Sequence, residues 1–144
     1  KSIVKKMEKK KYDKTYLNLI EKINDIAGIR IVCTLKDDIF FIRDLVKQIP
    51  DIHVLKEKDY VTNPKESGYS SYHMIVEVPV KLTQKTIYVK CEIQIRTLAM
   101  DFWASFEHKV KYKTKNDVNP KMSKELVSCA KMINKFDTKM INYK

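Results

Sequence analysis

The fold is decided between residues 68 and 97: Gly68-Tyr-Ser-Ser-Tyr-His73, a valine-rich arm, a short connection, then Thr86-Ile-Tyr-Val-Lys-Cys-Glu-Ile-Gln-Ile-Arg-Thr97. The last arm alternates. Ile87, Val89, Cys91, Ile93 and Ile95 fall on one face of a strand, and Tyr88, Lys90, Glu92, Gln94 and Arg96 on the other, because successive strand side chains point to opposite sides. Glu92, Gln94 and Arg96 set a carboxylate, an amide and a guanidinium about 6–7 Å apart along one face, at ~3.3 Å of rise per residue. Such a row can meet a metal, a base edge and a phosphate at once. An ordinary solvated sheet face fits the alternation equally well.

The 144 residues suffice for one domain with a core and are too few for two ordinary ones. The chain opens at Lys1 rather than Met and is read as a fragment or a processed product, one unit over 1–144. No apolar run is long enough to span a bilayer and no signal peptide is visible, so no membrane partner is expected. Cys33, Cys91 and Cys129 make no Cys-x-x-Cys and no even framework; they read as thiols of a reduced compartment. The three histidines are scattered, which argues against a zinc site and against a His-Asp phosphohydrolase. The net charge of +11 is carried mostly by lysine; the arginines are Arg30, Arg43 and Arg96. That balance points to a polyanionic partner, with roughly half of the lysines assigned to plain solvated surface.

Periodicity predicts a basic helix over 2–11 and a second helix carrying Tyr16, Leu17, Ile20 and Ile23. A strand follows over 28–35, then a helix capped by Asp37-Asp38 with the stripe Ile39, Ile42, Leu45, Val46 and Ile49, stopped by Pro50. A short strand over 53–56 completes a β-α-β unit. A lysine-rich loop leads to Gly68. Residues 71–78 and 86–96 then form an antiparallel pair joined through 79–85, followed by helices over 98–112 and 122–141. The sum is an α+β fold, a mixed sheet of about five strands flanked by helices.

Several groups can converge on that sheet. Asp25 stands just before the strand at Gly28 and Glu92 lies mid-strand; on neighbouring strands the two carboxylates would meet and suit Mg²⁺. Tyr69, at a loop-to-strand junction among small polar residues, can stack a base. Lys56, Lys58 and Lys65 can neutralise phosphates. His73 shares the face of Ser71, where a structural role is its default. No Gly-x-x-x-x-Gly-Lys-Ser/Thr and no Gly-x-Gly-x-x-Gly is present.

Together, Asp-Ile-Ala-Gly-Ile-Arg (25–30), Lys-Glu-Lys-Asp-Tyr (56–60), Asn-Pro-Lys-x-x-Gly-Tyr-x-Ser-Tyr-His (63–73), Glu-Ile-Gln-Ile-Arg-Thr (92–97) and Ala-Met-Asp-Phe-Trp-Ala-x-x-Glu-His-Lys (99–109) resemble the RelA/SpoT synthetase domain, most closely its stand-alone small alarmone synthetases. Each motif alone is weak; five in order over 25–109 are specific. The resemblance implies a nucleotidyltransferase-like sheet and a pyrophosphokinase that moves the β,γ-pyrophosphate of ATP to the 3′-hydroxyl of GDP or GTP, making the alarmone (p)ppGpp of the stringent response in the cytoplasm. By motif position it implies Asp25 on Mg²⁺, Glu92 on the metal or as the base, and Tyr69 on guanine. Lys65 and His73 would meet the acceptor's phosphates, with Gln94, Asp101 and Glu107 also on the acceptor side. Arg30, Lys56 and Lys58 would handle ATP. It also implies homotetramers and no hydrolase domain.

Two positions depart from the pattern. Relatives often carry Arg after the stacking tyrosine, where this chain has Ser70, and some have Asn where it has Asp101. The family's upstream basic residues that grip ATP have no counterpart here, which leaves Lys5, Lys6, Lys9 and Lys10 as the nearest candidates. A single-stranded RNA-binding module, using the same basic surface and tyrosines, is the competing reading. A catalytically weak nucleotide sensor on the same fold is the third.

Overall fold

The computed structural model describes residues 8, 11, 13, 27–114 and 119–143. The elements are β1 (Ala27–Cys33), α1 (Lys36–Gln48), β2 (His53–Asp59), β3 (Tyr72–Lys81), β4 (Thr86–Thr97), α2 (Leu98–Lys113) and α3 (Pro120–Met140), closed by a 3₁₀ turn at Ile141–Tyr143. The two helices expected before Gly28 lie outside the described residues.

The described sheet has four strands, not about five, in the order β1-β4-β3-β2. β1 runs parallel to β4 and the other pairings are antiparallel. β1, α1 and β2 form the expected β-α-β unit, but it is split: β4 and β3 lie between its two strands. The long pairing of β3 with β4 explains this. Ten residues of β3 pair with β4, from Tyr72 opposite Ile95 to Lys81 opposite Thr86, so this hairpin occupies the centre. Its connection is shorter than the expected 79–85, because β3 continues through Pro79 to Lys81. Pro79 is tolerated there because β2 begins opposite Glu77, so the missing N–H faces no partner strand.

One face of the sheet is the core. Met74, Val76, Cys91, Ile93 and Ile95 point into it and meet Ile39 and Val46 of α1 and Met100 of α2. Leu45 and Ile49, read as part of the α1 stripe, remain nearly half exposed. Asp38 serves the start of α1 by accepting from the Leu35 N–H at 3.1 Å. A second cluster, Trp103, Ala104, Leu126 and Ala130, joins α2 to α3, with Trp103 Nε1–H donating to the Leu126 carbonyl at 3.0 Å. Thr97 fixes the turn from β4 into α2. Its Oγ1 accepts from Met100 N–H at 3.1 Å, and the same hydroxyl donates to the buried Asp137 of α3 at 2.6 Å. Burial pushes the Asp137 carboxyl above its usual range. Asn119 caps α3 through Lys121 and Met122 N–H, with Pro120 at its first position.

A β-bulge decides which side chains of β2 reach which face. Val54 pairs with Val76 on the core side, but the next paired residue is Lys56, opposite Ile75. The extra residue, Leu55, changes the phase of the strand. Lys56 and Lys58 therefore stand on the face of Glu92 and His73 instead of following Val54 into the core.

Gly68 holds the loop before β3 against α3. Its φ is +90°, and a Cβ there would run into the Ala130 Cβ. Gly68→Ala is expected to lower stability by about 1–3 kcal/mol from the backbone conformation alone, with the clash adding to it. Urea unfolding measures the loss; a change below 0.5 kcal/mol, on the order of a neutral surface substitution, would contradict this packing.

Candidate active site

The face opposite the core carries rows of polar side chains across all four strands. The register lines up Arg30, Gln94, His73 and Lys58 in one row, and Gly28, Glu92, Ile75 and Lys56 in the adjacent one. Four strands at ~4.8 Å spacing spread a row over roughly 14 Å. The strand of Gly28 neighbours that of Glu92, the condition under which Asp25 and Glu92 could meet, and the two residues are register partners. Asp25 itself, like Lys6 and Lys9, lies outside the described residues.

Hydrogen bonds join these rows into one network. His73 Nδ1 lies 3.0 Å from Glu92 Oε1, and Gln94 Nε2 donates to Glu92 Oε2 at 3.1 Å. Tyr69 Oη lies 2.9 Å from His73 Nε2. Arg96 Nη2 donates to Tyr69 Oη at 2.7 Å and to Gln94 Oε1 at 2.6 Å. Its Nη1 donates to Asp101 Oδ1 at 3.1 Å and its Nε to Ser71 Oγ at 3.3 Å. Arg30 reaches the same Asp101 oxygen at 3.3 Å from β1.

The chemistry of these groups assigns the protons. The Glu92 carboxylate can only accept, so His73 Nδ1 must carry the proton between them. In a neutral ring Nε2 is then an acceptor, and Tyr69 Oη donates to it while accepting from Arg96. Burial holds His73 below its ordinary imidazole pKa, partly offset by the Glu92 carboxylate, which favours this neutral form.

The sequence reading gave Arg96 no family role, only a place in the row of side chains that could meet a phosphate. On the alternating face it looked solvent-exposed, yet it is only 4% exposed. Its burial comes from Tyr69 and Ser71, 27 and 25 residues away, and nothing in β4 itself signals it. Tyr69 is half-buried rather than exposed, packed against the Trp103 cluster. The Arg96 guanidinium lies 5.2 Å from the centroid of its ring. Lys65 Nζ sits 4.9 Å from the same centroid and 4.7 Å from that of Tyr60, a cation held by two rings. Tyr60, which the sequence reading also gave no role, meets His73 edge-on at 5.5 Å.

Among the described candidates Glu107, like Lys56 and Lys58, lies outside this network. It pairs with Lys111 one turn along α2. Lys56 and Lys58 share the face of Glu92 but are exposed on the β2 edge. Glu92 borders a cavity of about 190 Å³ lined also by Gly28, Ile29, Arg30 and Gln94. Among the described residues, nothing lies within 4 Å of where a Cβ on Gly28 would stand. Among the described residues no three His, Cys, Asp or Glu side chains gather around one point. Among the described residues that line this cavity, Glu92 is the carboxylate, a donor of the oxygen type Mg²⁺ takes in company with substrate phosphates. No helix among the described residues is long and apolar enough to cross a membrane.

Residues 1–117 match the family model described as the region found in RelA / SpoT proteins. GTP pyrophosphokinase YwaC of Bacillus subtilis (strain 168) is 47% identical over 143 residues, 99% of this chain and 68% of the relative. The crystal structure of small alarmone synthetase 2 from Bacillus subtilis has a TM-score of 0.89 at 46% identity, covering 99% of this chain and 73% of that one. Small alarmone synthetase 1 from the same organism, bound to its product pppGpp, has a TM-score of 0.86 at 37% identity, covering 99% and 72%. The chain thus spans about two thirds to three quarters of the length of these relatives.

The low pKa of His73 makes stability depend on pH with a definite sign. As pH falls below the ordinary imidazole value of 6.5, the unfolded chain takes up a proton that the folded chain resists. Stability present above 6.5 is therefore lost as pH falls through the folded value. Urea unfolding at pH 7.5, 6.5 and 5.5 should show this loss, and His73→Gln should flatten it over that window. Parallel profiles for the two proteins would contradict the buried neutral imidazole.

Proposed function

The chain belongs to the RelA/SpoT family, and from that membership we propose that it is a GTP/GDP pyrophosphokinase making (p)ppGpp from ATP and GDP or GTP. The observation that carries the reading is the position of Glu92. It stands between the Arg30 side of the sheet and the Tyr69–His73 side, with one hydrogen bond on each carboxylate oxygen. A donor nucleotide and an acceptor nucleotide can meet there from opposite edges.

In the reaction the 3′-oxygen of the guanosine nucleotide attacks the β-phosphorus of ATP. The bond from that phosphorus to the α,β-bridging oxygen breaks, and AMP leaves with the electron pair. The proton of the 3′-hydroxyl goes to Glu92. His73 and Gln94 each occupy one lone pair of the carboxylate and leave others free, so they orient Glu92 without consuming its capacity to accept. Because such transfers depend on position and charge more than on covalent chemistry, the cations around Glu92 matter as much as the base. Arg30, braced by Asp101, faces the donor's phosphates, with Lys56 and Lys58 adding positive charge from β2. Asp25 and Glu92 would hold Mg²⁺, which when bound neutralises the polyphosphate charge.

On the acceptor side, Tyr69 offers its ring to guanine, and Lys65 leaves the two tyrosine rings for the acceptor's phosphates. Asp101, Gln94 and Glu107 complete that side. Lys6 and Lys9 belong with ATP in the same reading. Free cysteines and nucleotide substrates fit a cytoplasmic enzyme. Assembly into homotetramers would cover Phe102, Phe106, Met132 and Phe136, each at least half exposed.

Glu92→Gln tests the assignment. With Mg²⁺, ATP and GDP or GTP, anion-exchange separation should show AMP and a 3′-pyrophosphorylated guanosine nucleotide forming in step. The variant should lower kcat by about 10²–10⁴-fold while keeping its unfolding midpoint. A variant within threefold of the parent would remove Glu92 from the role of base.

A further inference from the structure

Behind the loop of residues 64–70 lies a second cavity, of about 210 Å³, between that loop, α2 and α3. The loop serves both sites, and Lys65, read above as an acceptor-side residue, also lines this cavity. Tyr69 joins the polar network, whereas Gly68 and Ser70 line the cavity. None of Tyr69, His73, Glu92, Gln94 or Asp101 borders it.

The lining states what would fit. Met100, Trp103, Val127 and Ile133 give an apolar interior, and Lys131 stands among the charged groups that border it. The Trp103 N–H is already given to the Leu126 carbonyl, so the indole presents only carbon. Among the described residues, Ser70 Oγ is the buried side-chain polar atom with no hydrogen-bond partner in the protein. A hydroxyl left so costs free energy that a ligand atom would recover. An apolar cavity of ~150 Å³ accommodates benzene, so this one has room for a six-membered ring and a small substituent.

We propose that this cavity binds a small, uncharged, planar heteroaromatic ligand bearing one hydrogen-bonding group directed at Ser70 Oγ. The ligand steadies the loop from behind. Gly68 rests against Ala130 and Val127 of α3 beside the cavity, and the amides of the loop close on themselves through Gly68 N–H to Lys65 O at 2.7 Å and Lys65 N–H to Tyr69 O at 3.0 Å. A contact at Ser70 therefore bears on the placement of Lys65 and Tyr69. Only this last consequence rests on reading those two residues as the acceptor site; the binding itself does not.

Trp103 is the single tryptophan of the chain, so its emission reports on the cavity directly. Nicotinamide, which does not need the nucleotide site, is the probe. Its titration should change Trp103 emission saturably, half-complete near ~1 mM as expected for so few atoms. Ser70→Ala should weaken binding about 3–10-fold, the worth of one neutral hydrogen bond, and Ile133→Phe should abolish it by filling the space. Hydrogen exchange of 64–70 should slow several-fold at saturation. A linear, collisional response, or one equal in the parent and Ser70→Ala proteins, would overturn the site even if Ile133→Phe failed to fold. Saturable binding with unchanged exchange of 64–70 would overturn the steadying of the loop. No substrate is present in these measurements, so their failure is distinct from a failure of the proposed activity.

Discussion

A buried guanidinium is costly unless every acceptor around it is in place, and Arg96 has four: Ser71 Oγ, Tyr69 Oη, Gln94 Oε1 and Asp101 Oδ1. They come from the loop before β3, which supplies both Tyr69 and Ser71, from β4 and from α2. Removing any one would leave a charge-bearing donor partly unmet in a site nearly closed to water. The arrangement of the polar face is therefore collective. The chain of hydrogen bonds from Tyr69 through a neutral His73 to Glu92 runs between a group that can only donate, the Arg96 guanidinium, and one that can only accept, the Glu92 carboxylate. The acceptor at its end fixes the His73 proton on Nδ1.

The same logic gives the split sheet its purpose. A β-α-β unit alone would pair β1 with β2. Inserting the β3–β4 hairpin places Glu92 and His73 in the middle of the sheet, with Arg30 on one side and the β2 lysines on the other. The helices cover one face through Met74, Ile93 and Ile95. Where Glu92 stands, the opposite face carries a cavity bordered by Gly28, Ile29, Arg30 and Gln94. The rigid central hairpin positions the carboxylate, and the groups that must adapt to ligands, Lys65 and Tyr69, sit on the loop that rests on α3.

Much of this was legible in the chain. The alternation of β4 put Cys91, Ile93 and Ile95 in the core and Glu92 and Gln94 outside it, since a period of two needs no tertiary information. The five ordered motifs indicated the family before any geometry. What stayed hidden depended on contacts distant in sequence. Arg96 shares the period of Glu92 yet is buried, because Ser71 and Tyr69 arrive from the loop that leads into β3. Lys56 and Lys58 reach the polar face only through the bulge at Leu55, and an unpaired residue leaves no mark on composition. Pro79 misled in the opposite direction, reading as a turn when it is a strand residue beyond the reach of β2. The cavity behind the loop had no signal beyond Ser70 itself, which the family comparison marked as a departure without indicating which way it faces.

The central claim is that Arg96 at one end and the Glu92 carboxylate at the other hold Tyr69 and His73 in one donor order. The measurement that tests it most directly is the ¹⁵N spectrum of the His73 imidazole near pH 7.5. A neutral ring protonated on Nδ1, changing when Arg96 is replaced by Lys, is the expected result, because lysine lacks the planar fork that meets these acceptors together. A ring protonated on Nε2, or one unaltered in Arg96→Lys, would contradict the account.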